Sequence, residues 1–123
     1  MKKKRILIVD DEVGFTRLVS LNLAYQYFVR VENAPDQALN AALEFKPDLI
    51  LLDVMMPKMD GGELASKIRE TPELQDVPVV FLTAAAAKGE VTSHAGQIGG
   101  FPFLAKPVSV QDLRACIEKN LKD

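Results

Sequence analysis

The chain has little of several features that would mark a specialised class of protein. Its 123 residues contain one cysteine, one histidine and no tryptophan. A single cysteine, Cys116, excludes an internal disulfide and suits a reducing compartment. No apolar run approaches the roughly 20 residues that span a bilayer, and the first residues form no apolar signal segment. We therefore expect a cytoplasmic protein with no membrane association.

An excess of charge of one sign is also missing. Lysine and arginine together number 15 against 17 aspartates and glutamates, which is a formal net charge of −2. A chain with this balance has no global attraction for nucleic acid or for an anionic membrane, so direct nucleic acid binding is not expected. The length suits a single domain, residues 1–123, with one packed core.

Apolar runs that predict strands alternate with helical patterns. Three runs are continuously apolar, as in strands buried on both faces of a parallel sheet. A fourth alternates apolar and charged residues, and a fifth contains Pro102, so these two are expected at the sheet edges. In chain order the five predicted strands are 6–9, 28–32, 49–52, 79–82 and 101–105.

Five helical patterns follow these strands. The first is expected to begin near residues 12–14, and the second to be capped by Asn33 or Asp36 and to stop at Lys46–Pro47. The fourth is expected to be short, because glycines surround it. The expected buried positions, helix by helix, are Phe15, Leu18, Val19 and Tyr25; Leu39, Ala42 and Leu43; Leu64, Ala65 and Ile68; Val91, Ala95 and Ile98; and Val110, Leu113, Ile117 and Leu121.

This alternation predicts an α/β fold. Strands separated by helices form a parallel sheet with right-handed crossovers and helices on both faces. Placing strands two and five at the edges favours a flavodoxin-like, doubly wound five-stranded parallel sheet of order 2-1-3-4-5, with five helices. Strands one and three are then central and adjacent, and ligands bind where their carboxyl ends meet.

Polar residues follow four of the strands at that rim. Asp10 and Asp11 follow strand one, Asp53 strand three, Thr83 strand four and Lys106 strand five. One aspartate would be explained as a helix cap, but three together favour a cation among them, because like charges at close range repel one another. Mg²⁺ prefers such hard oxygen ligands. We therefore expect a site for Mg²⁺ and a phosphoryl group.

The chain resembles the receiver domain of two-component response regulators, both in the order of these elements and in the segment DVMMPKMDG at 53–61. The resemblance implies that the Asp53 carboxylate attacks phosphorus and becomes an aspartyl phosphate. It also implies a metal shell of Asp11, Asp53 and the Met55 main-chain carbonyl, with Asp10 acting through a bound water. In that loop, Gly61 is expected to supply a permissive backbone.

The same resemblance implies roles for three further residues. Lys106 pairs with Asp53 and later with the phosphoryl oxygens, as a positioned positive charge. Thr83 and Phe103 form the switch: the Thr83 hydroxyl binds a phosphoryl oxygen, and the Phe103 ring moves inward. Phe103 departs from the family pattern, in which tyrosine is frequent, because it has no hydroxyl. The stretch 84–100 departs as well, because its first residues lack acidic and polar character.

Partners follow from the resemblance too. A histidine kinase or a histidine phosphotransfer protein would supply the phosphoryl group. A downstream effector domain or target protein would respond to the changed face of helix four, strand five and helix five. The domain would be regulatory rather than an enzyme, although it takes part in its own Mg-dependent phosphorylation and dephosphorylation. A weak homodimer is compatible with this role, and the sequence leaves open whether the chain stands alone or belongs to a longer one.

Three other functions remain as alternatives. A pseudo-receiver would bind partners without phosphorylation, but the complete set of Asp10, Asp11, Asp53, Thr83 and Lys106 argues against it. A haloacid-dehalogenase-type phosphatase would carry two aspartates two residues apart on strand one, whereas Asp10 and Asp11 are adjacent. A nucleotide-binding flavodoxin-like domain would need a glycine-rich phosphate loop after strand one, which the sequence lacks.

Overall fold

The computed structural model describes residues 3–56, 59–83, 97–98, 101–106 and 108–121. The strands are β1 Lys4–Val9, β2 Tyr27–Glu32, β3 Leu49–Asp53, β4 Met55–Met56, β5 Met59–Asp60, β6 Val79–Thr83, β7 Gln97–Ile98 and β8 Phe101–Ala105. The helices are α1 Val13–Leu23, α2 Ala38–Phe45, α3 Gly61–Glu70 and α4 Val110–Asn120, and a short 3-10 turn, Pro35–Gln37, precedes α2.

Five of the strands form the parallel sheet that the sequence predicts. Their order is β2-β1-β3-β6-β8, which is the predicted order 2-1-3-4-5 once the two-residue strands are set aside. Each neighbouring pair among the five is parallel. β1 and β3 are central and adjacent, with Val9 opposite Leu52. The residues that follow Val9 and Leu52 therefore lie at one rim of the sheet.

Both faces of the sheet are buried. Along β1, Leu7 and Val9 pack in a cluster with α2 and α3, whereas Ile6 and Ile8 pack in a second cluster with α1 and α4. This two-sided burial explains why the strand is continuously apolar rather than alternating. Full burial of such a side chain stabilises the fold by about 1.5–3 kcal/mol.

The first helix buries a different face from the predicted one. Val19 is buried as expected, but Leu18 is 58% exposed and Tyr25 is 90% exposed. Thr16 and Leu23 are the other buried residues of α1. Positions 16, 19 and 23 share one face because they are three and four residues apart, and Leu18 lies off that face. Tyr25 lies beyond the end of the helix.

The start of α2 also differs from the prediction. Neither Asn33 nor Asp36 caps the helix: the 3-10 turn leads into it, and Gln37, at the N-cap position, makes no side-chain capping hydrogen bond. The predicted end is confirmed, because Lys46 closes the helix in the left-handed region, with φ of 54°, directly before Pro47. The buried residues of α2 are Ala38, Ala41 and Ala42, and Leu39 and Leu43 are partly buried.

The predicted fourth helix lies outside the described residues, except for Gln97–Ile98. That pair forms β7, which runs antiparallel along β8 with Ile98 opposite Phe101. The helical position predicted for Ile98 is therefore wrong. Among the five parallel strands, the one that carries Pro102 lies at the edge as predicted, although the two-residue β7 pairs along its outer side. A strand pair here satisfies backbone groups of β8, whereas the neighbouring glycines disfavour a helix. The described residues contain four α-helices rather than five, and none of these is long and apolar enough to cross a membrane.

Leu51 tests how strongly the central strand holds the fold. It is fully buried in β3, so Leu51→Ala is expected to lower the free energy of unfolding by about 2–5 kcal/mol, because the cavity cannot collapse fully. Urea unfolding measures this loss. The matched control is Leu21→Ala, on a residue that is 71% exposed, with an expected change within about 0.5 kcal/mol. Equal losses in the two variants would contradict the assigned core.

Candidate functional site

Two central strands bring carboxylates to the same rim. Asp53 is the last residue of β3, and Asp10 directly follows β1. The Asp10 backbone N–H still donates to the Glu32 carbonyl at 3.1 Å, which keeps Asp10 in line with the sheet. Carboxylate oxygens of Asp10, Asp11 and Asp53 lie within 4.8 Å of one another. The sheet therefore forms the acidic cluster that the strand ends predict.

The three carboxylates differ in burial. Asp10 is 0% exposed and Asp53 is 4% exposed, whereas Asp11 is half-exposed. Buried negative charges at this separation repel one another, and each has lost the water that would stabilise it. The cluster therefore requires positive charge close by.

Lys106 supplies positive charge from the end of β8. Its ammonium nitrogen Nζ lies 2.6 Å from Asp10 Oδ2, 2.6 Å from Glu12 Oε1 and 3.7 Å from Asp53 Oδ2. The predicted pairing with Asp53 is thus the longest of the three contacts. Hydrogen bonds of this type have donor–acceptor distances below about 3.2 Å. Of these three carboxylates, Asp10 and Glu12 are therefore hydrogen-bonded to the ammonium and Asp53 is not.

The surroundings of Lys106 favour its charged form. Burial alone lowers the pKa of Lys106, but hydrogen bonds to Asp10 and Glu12 and the charges of Asp10 and Asp53 outweigh it, so the pKa lies above the ordinary value for lysine. The ring of Phe15, whose centroid is 4.5 Å from Nζ, adds a cation–π contact. The ammonium is therefore protonated throughout the physiological range.

Asp10 is also held by hydrogen bonds to groups other than Lys106. The Glu12 backbone N–H donates to Asp10 Oδ1 at 2.9 Å, and the Asn33 amide donates to the Asp10 carbonyl at 2.8 Å and to Thr16 Oγ1 at 3.0 Å. Thr16 is buried. Since Lys106 binds Oδ2, each carboxylate oxygen of Asp10 already accepts a hydrogen bond.

Neither Glu12 nor Asn33 was predicted to belong to the site. Glu12 extends the acidic pair after β1, and Asn33 directly follows β2 at the same rim, so strand-end position could have identified both. Asn33 is a positioning group rather than the helix cap predicted for it. The contact of Glu12 with Lys106 joins residues 94 positions apart, so no local sequence pattern predicts it.

The two predicted switch residues lie on neighbouring strands. Thr83 ends β6 opposite Ala105, and β6 pairs with the strand that ends in Asp53. The Thr83 side chain is outside the described part of the structure. Phe103, in β8, is half-buried opposite Phe81 and packs against the core cluster on the α2–α3 side. The strands that carry Thr83 and Phe103 are thus the two that follow β3 in the order of the sheet.

Two short strands follow Asp53 and pair with each other in antiparallel orientation. Met55 in β4 pairs with Asp60 in β5, and Pro57 lies outside the described residues. The metal role of the Met55 carbonyl therefore stays a prediction.

Close packing explains the glycine at the start of α3. A Cβ on Gly61 would lie 2.7 Å from Val54 Cα and 2.8 Å from the Asp53 carbonyl oxygen. The Gly61 N–H also donates to the Val54 carbonyl at 3.2 Å. Its φ is outside the left-handed region, so the expected reason, a permissive backbone, is wrong. Gly61 is required because α3 begins in contact with the backbone that carries Asp53.

Comparison with known proteins decides the family. The family model described as the response regulator receiver domain matches residues 6–118. This chain belongs to that family. Among receivers of known structure, the chemotaxis protein CheY4 of Vibrio cholerae has a TM-score of 0.84 at 26% identity, covering 98% of this chain and 100% of that one. A putative response regulator from Chloroflexus aurantiacus has a TM-score of 0.82 at 30% identity, covering 96% and 97%.

Curated relatives of this receiver domain are longer proteins. The DNA-binding dual master transcriptional regulator RpaA of Synechocystis is 36% identical over 126 residues, which are 96% of this chain and 49% of RpaA. The response regulator PleD of Caulobacter vibrioides is 40% identical over 106 residues, which are 85% of this chain and 23% of PleD. The chain thus spans about half or less of the length of these relatives.

The donor set of this receiver domain fits a hard divalent cation. Its three clustered carboxylates offer oxygen ligands of the kind that Mg²⁺ prefers. Within the described residues, Lys106 is the one ammonium that contacts this cluster. The same ammonium also contacts a fourth carboxylate, Glu12. Negative charge therefore remains in excess, which a divalent cation would offset.

The variant Gly61→Ala tests the close contact at the start of α3. The new methyl group would clash with the Val54 backbone, so we expect a loss of about 1–3 kcal/mol in the free energy of unfolding. The matched control is Gly14→Ala in α1, where nothing lies within 4 Å of an added Cβ. There we expect a gain of about 0.5–1 kcal/mol, because alanine is favoured within helices. A neutral Gly61→Ala would refute the contact.

The Lys106 ion pair is expected to depend on pH at the alkaline end. Removing the ammonium by Lys106→Gln leaves Asp10 buried without its partner, which costs about 3–5 kcal/mol at pH 7. Because the pKa of Lys106 is raised on folding, this contribution is complete below the unfolded pKa of about 10.4 and is lost as pH rises through the folded value. Urea unfolding of both proteins from pH 7 to 11 measures the difference. The exposed Lys67→Gln serves as control, and a difference that vanishes before pH 9 would contradict the assignment.

Proposed function

We propose that this chain is a phosphoacceptor signalling domain. Asp53 accepts a phosphoryl group from a partner histidine kinase or histidine phosphotransfer protein in a Mg²⁺-dependent reaction. The convergence of Asp10, Asp11, Asp53 and Lys106 at one rim of the sheet supports this function most directly. The membership of the receiver domain family supports the same chemistry.

The reaction is a displacement at phosphorus. An oxygen lone pair of the Asp53 carboxylate forms the new O–P bond, while the P–N bond to the donor histidine breaks and its electron pair stays on the imidazole nitrogen. No proton has to leave Asp53, because an ionised carboxylate is already a nucleophile. The product is an acyl phosphate on Asp53.

Positive charge is the main catalytic requirement of this displacement. Phosphoryl transfer depends more on positioned charge than on acid or base groups. Lys106 carries one charge and would bind the incoming phosphoryl oxygens. Asp11, Asp53 and the Met55 main-chain carbonyl would hold Mg²⁺, with Asp10 acting through water. When bound, the ion supplies the charge that offsets repulsion between these carboxylates and the anionic donor.

The proposed readout runs through Thr83 and Phe103. The Thr83 hydroxyl would bind a phosphoryl oxygen once Asp53 is modified, and its movement would let the half-buried Phe103 ring move further inward. Burying more of that ring would favour one of two conformations. The balance between them needs to be only a few kcal/mol for one modification to shift it.

A downstream effector domain or a separate target protein is the proposed reader of this change. The relatives named as regulators are at least twice as long as the matched region, which leaves room for such a domain in them. We further propose a cytoplasmic location, because a chain with the single cysteine Cys116 suits a reducing compartment. Direct nucleic acid binding is not part of the proposal, and a weak homodimer is compatible with it.

Intact-mass measurement tests the proposed function. Incubating the chain with Mg²⁺ and phosphoramidate is expected to add the mass of one phosphoryl group. Asp53→Asn removes the nucleophile and Mg²⁺ chelation removes the ion, so each is expected to abolish the gain. The exposed Asp36→Asn is the matched control and should retain it.

The same measurement distinguishes the pseudo-receiver. If neither phosphoramidate nor a phosphorylated histidine phosphotransfer protein adds mass to folded wild-type chain, the phosphoacceptor proposal fails. The chain would then act as an interaction domain without phosphorylation. A gain that persists in Asp53→Asn would place the nucleophile elsewhere.

A further inference from the structure

Lys106 is held by two carboxylates in a closed ring of contacts. The Glu12 backbone N–H donates to Asp10 Oδ1, and Lys106 donates to both Asp10 Oδ2 and Glu12 Oε1. Asp10 and Glu12 thus bind the ammonium and are also joined to each other. The distance from Lys106 Nζ to Asp53 Oδ2 is 3.7 Å, about 0.5 Å beyond hydrogen-bond range.

The Glu12 side chain is available for this contact because it has no role in capping. Glu12 occupies the N-cap position of α1 but makes no side-chain capping hydrogen bond. Its backbone carbonyl instead accepts from the Thr16 N–H and hydroxyl. The backbone of Glu12 is therefore fixed at the rim, and its side chain reaches Lys106.

The two partners of Lys106 differ in how easily they release it. The Asp10 side chain is 0% exposed and has no access to replacement water, whereas the Glu12 side chain is 61% exposed. Breaking the Glu12 contact lets water solvate its carboxylate, so this contact is the weaker of the two. Glu12 and Lys106 also border a groove of about 420 Å³ lined by residues that include Phe15 and Val108. That groove gives both side chains room to move.

We infer that Glu12 is a positioning residue that holds Lys106 away from Asp53 before phosphorylation and releases it when the phosphoryl group arrives. This inference rests on the proposed function of Asp53 and deepens it. Lys106 would exchange Glu12 for a phosphoryl oxygen while it keeps its contact with Asp10. Glu12 thereby sets part of the barrier to phosphorylation without touching the donor.

Two variants test whether Glu12 affects phosphorylation through its contact with Lys106 or only through its negative charge. Glu12→Asp keeps the negative charge but is one methylene too short to make the contact, whereas Glu12→Gln removes the charge and keeps an acceptor at the same reach. If the contact between Glu12 and Lys106 limits the reaction, Glu12→Asp is phosphorylated by phosphoramidate about two- to fivefold faster than wild type at saturating donor. This is the rate change expected from the loss of an accessible ion pair. Glu12→Gln, which still offers an oxygen, is accelerated less.

The matched control is Glu70→Gln, an exposed charge in the last turn of α3. It removes the same charge from a residue that is not among the carboxylates contacting the ammonium, and it is expected to leave the rate unchanged. If the charge alone mattered, Glu12→Gln would be accelerated and Glu12→Asp would match wild type. That pattern would overturn the inference.

A second measurement does not depend on phosphorylation. In unmodified protein, NMR of the Lys106 side-chain ammonium, assigned with Lys106→Arg, reports its hydrogen bonds. Glu12→Asp is expected to shift this signal and to accelerate its proton exchange with water, whereas Glu70→Gln leaves both unchanged. An unchanged Lys106 signal in Glu12→Asp would show that Glu12 does not hold the ammonium.

The two measurements separate failure of this inference from failure of the proposed function. A wild-type chain that takes up no phosphoryl group from any donor refutes the phosphoacceptor function, and the kinetic role of Glu12 with it. A wild-type chain that is phosphorylated at the same rate as Glu12→Asp refutes the role of Glu12 alone.

Discussion

The salt bridge between Lys106 and Asp10 is the interaction on which the rest of the site depends. It joins residues 96 positions apart. Two strands, β3 and β6, separate the strands that carry them, so the ammonium reaches along the rim of the sheet. A lysine can make this reach because its long stem packs along apolar surface while its charged end remains free to pair. Without that charge, three clustered carboxylates and Glu12 would have no cation in contact with them among the described residues.

The location of this salt bridge follows from the burial of the sheet. Ile6, Leu7, Ile8 and Val9 are buried on both faces of β1, so polar chemistry is confined to the points where strands end. At those points a carboxylate can be held by backbone donors and still meet a ligand. Gly61 shows how tightly this rim is built, because α3 begins against the Asp53–Val54 backbone without room for a methyl group.

Strand patterns were more informative than helix details. The continuous apolar runs predicted the central strands, and the strand-end aspartates predicted the acidic cluster, because both depend on periodicity and position alone. Leu18 was predicted to be buried and is exposed, because apolar character does not determine which face of α1 meets the sheet. Asn33 was predicted to cap α2 and instead binds Asp10 and Thr16, since a polar residue at a strand end has several partners within reach. Pro102 suggested an edge strand, and β8 is the last of the five parallel strands, but the short antiparallel β7 beside it was not predicted.

By itself, the sequence determined the order of the strands, the rim at which polar residues are concentrated and the residue types available there. These properties follow from the apolar runs of the strands and the polar residues that end them, a pattern that is local in the chain. Only the tertiary structure decided the partners of each charge: Lys106 contacts Asp10 and Glu12 more closely than Asp53. Differences of about 1 Å between competing carboxylates arise from packing between distant segments, and such packing has no signature in the linear pattern of residues.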